Sequence, residues 1–99
     1  MTELINLHGQ PILRLRGQSV LNLQGHEIAR VADNRLLNLH NQLLATVDGG
    51  RVSRSGGETL LHVHGSQVVN RHGQTIANVT TGTDEQRALL GAAFLVYCT

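Results

Sequence analysis

Three histidines, His62, His64 and His72, and three arginines, Arg51, Arg54 and Arg71, have spacings that invite chemistry. His62 and His64 make an H-x-H on one face of a strand, and His72 follows His64 by one repeat of the chain. Three imidazoles brought together would suit zinc, and with it a hydrolase. The slot of His8, His40, His64 and His72 is filled elsewhere by Arg16, Gln24 and Asp48, so these imidazoles are expected to be solvated turn residues. Arg51 and Arg54 lie in DGGRVSRSGGE, residues 48–58, where Gly, Ser and Arg interrupt an otherwise aliphatic code. That segment reads either as a flexible edge strand or gap, or as an anion mouth built from Arg side chains and backbone N–H groups. Arg71, at an inward slot, needs a carboxylate partner or a solvated barrel end.

Nothing else supplies a nucleophile. The single Cys98 can form no internal disulfide, and its apolar surroundings make an inert thiol. Ser19, Ser53, Ser55 and Ser66 lack a local activating motif, and the carboxylates are scattered. The expectation is a non-enzyme without a cofactor, with no catalytic residue assigned and its ligand, small molecule or lipid, left open. With 99 residues, a net charge of +1, no Lys and 2% aromatic residues, the chain is one domain and an unfavourable binder of nucleic acid. No apolar run is long enough to span a bilayer, and no leader-like segment opens the chain, so a cytoplasmic location is expected.

The organising element is an eight-residue repeat. From Leu4 the octads read LINLHGQP, ILRLRGQS, VLNLQGHE, IARVADNR, LLNLHNQL, LATVDGGR, VSRSGGET, LLHVHGSQ, VVNRHGQT and IANVTTGT. The first position is always aliphatic. The sixth is Gly, apart from Asp33, Asn41 and Thr81. These residue types tolerate positive φ, so the sixth position predicts a left-handed turn, with Gly82 taking over beside Thr81. Short strands between tight turns follow, about ten of them over residues 4–83. If every turn preserves the face, the second and fourth positions point to the core and the first and third point outward. Ten outward aliphatics would then predict a homo-oligomer packed sheet on sheet.

Residues 84–98 change character. Thr83 or Asp84 is a candidate N-cap, and ALLGAAFLVYC is apolar on every side. Ten tilted strands close into a barrel ~20 Å across, wide enough to hold such a helix. Ala29, Ala45, Ala77 and Gly91 would allow close approach. The fold class expected is mainly β: a meander forming a barrel or strongly curved sheet around or against one hydrophobic C-terminal helix. A helix covering an open sheet or a subunit interface is the alternative.

The turn Gly followed by an aliphatic at the third place, as in Gly17-Gln-Ser-Val20, with the apolar helix after it, resembles the tubby C-terminal-like superfamily, which includes the LURP-one proteins and phospholipid scramblases. That resemblance implies a barrel wrapped around a hydrophobic helix. Leu7-His8-Gly9, Leu15-Arg16-Gly17, Leu23-Gln24-Gly25 and Val63-His64-Gly65 also resemble octapeptide repeats of phage spike needles, which implies a structural protein of three chains wound into a β-prism. The function expected is a binding or assembly module.

Overall fold

The computed structural model describes residues 2–54 and 57–97. Ser55 and Cys98 lie outside the described residues. Short strands β1 (Thr2–Ile5), β3 (Ser19–Leu21), β5 (Arg35–Leu37), β7 (Arg51–Ser53) and β9 (Gln67–Asn70) alternate with long ones. The long strands are β2 (Pro11–Arg16), β4 (Glu27–Ala32), β6 (Leu43–Asp48), β8 (Thr59–His64) and β10 (Thr75–Val79), and α1 (Asp84–Tyr97) follows. Each strand is antiparallel to its chain neighbours, and β1 closes on β10 through Leu4 opposite Val79. The ring therefore has no free edge. A three-chain prism is not formed, because every strand finds its partners within one chain. Within the interrupted segment, Arg51–Ser53 form neither an edge nor a gap, since β7 pairs with both β6 and β8.

The structural unit is two octads rather than one. A two-residue turn joins each long strand to the next short one, as at Gly17-Gln18 between Arg16 and Ser19. A loop of five residues, or four between β9 and β10 where Asn70 still belongs to the strand, joins each short strand to the next long one. A two-residue turn swaps faces, so successive octads do not bury the same positions. In the odd octads the first position is fully buried: Leu4, Val20, Leu36, Val52 and Val68. In the even octads the second position is fully or almost fully buried (Leu13, Ala29, Ala45, Leu61, Ala77), and most of the fourth positions join it.

The invariant aliphatic of the even octads is accounted for by a bulge. Leu4 pairs with Leu13 and Ile5 with Pro11, which leaves Ile12 as an extra residue. Ile28, Leu44, Leu60 and Ile76 are left over in the same way. A bulge redirects a side chain, and these five residues are in the core or pack against it. The first position is thus inward all round the barrel. The outward aliphatic face expected of it does not exist, and the sheet-on-sheet contact loses its basis.

The sixth position is left-handed at nine of its ten occurrences, Asp33 and Asn41 included, and Gly82 (φ 87°) replaces Thr81 as the positive-φ residue. A side chain at Gly82 would meet Thr2 Oγ1 at 2.6 Å and Gln86 Oε1 at 2.7 Å. Gly82 turns the chain into the barrel. Thr83 then caps the helix: its hydroxyl accepts from Gln86 N at 3.1 Å, while Gln86 Oε1 accepts from Thr83 N at 2.9 Å. Residues 88–93 are all buried in succession, which requires protein on every side of the helix. Helix α1 packs against β1, β2 and β5 through β10. It runs through the barrel, and the mainly β fold with a C-terminal helix is the one the repeats predict.

Candidate functional site

The barrel has two unlike ends. The tight turns gather where the helix enters, and there Arg87 Nη1 donates to Gly65 O at 2.8 Å. The longer loops gather where the helix leaves. In four of the five, their geometry comes from an Asn at the third position of the odd octads. In the first loop Asn6 Oδ1 accepts from His8 N at 2.9 Å and Gln10 N at 3.0 Å. Asn6 N also donates to Gln10 O, and Gly9 N to Asn6 O. Asn22, Asn38 and Asn70 repeat the pattern with Gln24 and His26, His40 and Gln42, and His72 and Gln74. Such Asx turns satisfy the loop backbone from within and need nothing from neighbouring loops.

The residue after each Asn is therefore held out on a fixed turn. In three adjacent loops it is Leu: Leu7, Leu23 and Leu39 are 60%, 57% and 45% exposed. The other exposed large hydrophobics among the described residues are Leu43, next to the third loop, and Val96 and Tyr97, at the emerging end of the helix. All six gather at this end. Burial pushes the Tyr97 phenol above its ordinary pKa.

The fourth and fifth loops differ. Arg54 stands in the place of Asn and keeps the loop frame, with Arg54 N donating to Glu58 O and Gly57 N to Arg54 O, both at 2.8 Å. Arg71 stands in the place of Leu, and its Nη1 donates to Glu58 Oε1 at 2.6 Å. Arg71 is exposed at a loop tip and not inward as its octad position suggests, so Glu58 is a surface ion-pair partner and not the compensation of a buried charge. Arg54, Glu58, Arg71 and His72 rim a cleft of about 380 Å³ floored by Leu60 and Leu95. A second cleft, about 370 Å³, lies under Leu23 and Tyr97 and is lined by Ile12, Leu13 and Ile28. The helix end thus emerges into a face that is apolar along three loops and basic along two.

Of the candidate ligand-binding arginines, the structure brings Arg54 and Arg71 to one cleft. Arg51 is placed elsewhere, because β7 is three residues long and separates it from Arg54. It sits at the tight-turn end, opposite Asp48. The candidate zinc ligands are not brought together. His62 and His64 lie on β8 with ring centroids 6.3 Å apart, while His72 belongs to a loop at the other end. Successive octads run in opposite directions, so equal positions one octad apart fall at opposite ends and only every second octad superimposes. Among the described residues no three metal-ligating side chains cluster.

The apolar loop tips are the residues sequence reasoning assigned wrongly, since the fourth position was expected in the core throughout. The signal was present. The fourth position fails as an aliphatic only at Ser55 and Arg71, both in odd octads, and Asn precedes it in four of the five odd octads.

A family model described as 5-fold beta-flower protein matches residues 1–98. No curated protein and no solved structure gives a significant match.

Proposed function

The chain belongs to the 5-fold beta-flower proteins, and from that premise we propose that this small β domain is a non-catalytic binding or assembly module that works through its loop end. One observation carries the reading: among the described residues, all six exposed large hydrophobic side chains lie at that end and none at the other. Five similar units close the ring, and four of its loops stand on Asx turns whose hydrogen bonds are satisfied within the loop. Isolated exposed aliphatics are ordinary, whereas a gathered set marks a contact surface. The clefts between helix end and loops give that surface relief, and Arg54 and Arg71 give it charge.

The test is replacement of Leu7, Leu23 and Leu39 by Ser, read by thermal melting and by binding of a fluorescent apolar probe. None of the three is in the core, so the melt is expected to stay within a few degrees while the probe signal falls severalfold. An unchanged probe signal would mean that the apolar surface lies elsewhere and would overturn the reading.

A further inference from the structure

Resting on the loop end as the contact surface, we infer that its partner is an anionic phospholipid surface, which the apolar tips enter while Arg54 and Arg71 meet phosphate at the headgroups. Two arrangements support this. The first is the layout of the face. Loops one to three carry Leu7, Leu23 and Leu39, and Val96 and Tyr97 stand at the helix end inside them. Loops four and five carry Arg54 and Arg71 beside them. An interfacial lipid layer presents hydrocarbon and phosphate a few ångströms apart, and a face with an apolar part bordering a basic part fits both at once. Loop tips on rigid turns suit insertion, because they lose little conformational freedom on docking.

The second is the charge distribution. Glu3 with Arg14 and Glu27 with Arg30 pair on the barrel wall. At the tight-turn end Arg16, Arg35, Arg51 and Arg87 are matched in number by Asp33, Asp48, Asp84 and Glu85. The side-chain surplus of one positive charge therefore lies at the loop end, where, among the described residues, Arg54 and Arg71 face the one acid Glu58, itself paired with Arg71. His8, His26, His40 and His72 add donors there. A second copy of the chain laid face to face would oppose basic surface to basic surface, so an anionic partner fits better. The molecule is also squat, with extents of 31 × 31 × 23 Å, and offers a broad end to a plane.

The experiment uses the full chain with phosphatidylcholine vesicles that hold either no anionic lipid or about one-third phosphatidylserine. Binding is read by co-sedimentation and by protection of Tyr97, the only tyrosine of the chain, from a soluble fluorescence quencher. Binding is expected to the anionic vesicles alone. The Leu7→Asp, Leu23→Asp, Leu39→Asp chain is expected to lose at least about ten-fold in affinity. Arg54→Gln and Arg71→Gln are expected to lose about five-fold each, the effect of one basic residue near an anionic surface. Gln18→Asp, at the tight-turn end, is expected to bind like the parent chain. Equal binding to both vesicle types, loss on Gln18→Asp, or no binding to either type would overturn the inference. In the last case, retention of the probe response described above, or dimerisation in light scattering abolished by Leu23→Asp, would leave the loop end as a contact surface for protein.

Discussion

Gly91 of the central helix lies against Val68 of β9, so closely that a Cβ on Gly91 would stand 2.9 Å from Val68 Cγ1 and 3.4 Å from Leu61 Cδ1. The glycine is there because a wall of branched side chains passes the helix at that height. Gly91→Ala is expected to destabilise the protein by ~1–3 kcal/mol from overpacking, despite the better helix propensity of Ala. Adding Val68→Ala should return part of that loss. Urea unfolding of both single variants and the double variant measures the coupling, and strict additivity would contradict the contact.

The Asx loops make opposite predictions for two equivalent positions. Asn22→Ala removes the acceptor of two backbone N–H groups, those of Gln24 and His26, and should cost ~1–2 kcal/mol. Arg54→Asn places the missing acceptor in a loop that already has the right frame and should gain ~0.5–1 kcal/mol. Chemical denaturation of the two variants checks the sign in each case.

The helix supplies the centre of the core. Leu90 is fully buried, and Leu90→Ala should cost ~2–5 kcal/mol. A chain ending at Thr83 should show no cooperative thermal transition in calorimetry, since the interior of the ring would be empty.

The hydroxyl of Ser19 donates to Glu27 Oε2 at 2.6 Å and, with the Arg30 guanidinium beside it, holds the Glu27 carboxyl below the usual range. Ser19→Ala is expected to move the Glu27 titration upward in NMR. The folded value lies below the unfolded one, so the stabilisation is present at neutral pH and is lost as pH falls through the depressed value. The variant should therefore lose least stability, relative to the parent, at the acidic end.

Much of the architecture was legible in the chain. The period, the left-handed residues and the takeover by Gly82 follow from which side chains tolerate positive φ. The buried helix follows from a segment with no polar face. The inward alanines Ala29, Ala45 and Ala77 follow from the width of a ten-stranded ring. The faces were not legible from the octad alone, because Gly17 in a two-residue turn and Gly9 in an Asx loop occupy the same position with the same sign of φ. The bulges at Ile12 and its equivalents hid the difference by making the first position inward in both kinds of octad. The third position separates most of them, Asn6, Asn22, Asn38 and Asn70 alternating with Arg14, Arg30, Thr46 and His62, while Arg54 and Asn78 break the alternation. The candidate site suffered from the same ambiguity. Arg54 and Arg71 were found because they break the code, and Leu7, Leu23 and Leu39 were missed because they obey it.

The helix that fills the ring follows all ten strands in the chain, and this constrains the order of folding. Each hairpin can form as soon as it leaves the ribosome, since its contacts are local. The pairing of Leu4 with Val79 spans nearly the whole sequence and cannot become permanent until the helix is in place, because a closed ring would have to admit an apolar rod along its axis. During synthesis β1 and β10 must wait as unpaired borders, the state in which a sheet is most exposed to pairing with a stranger. Premature release of the chain before residue 84 would thus yield not a shortened barrel but an open, adhesive ribbon.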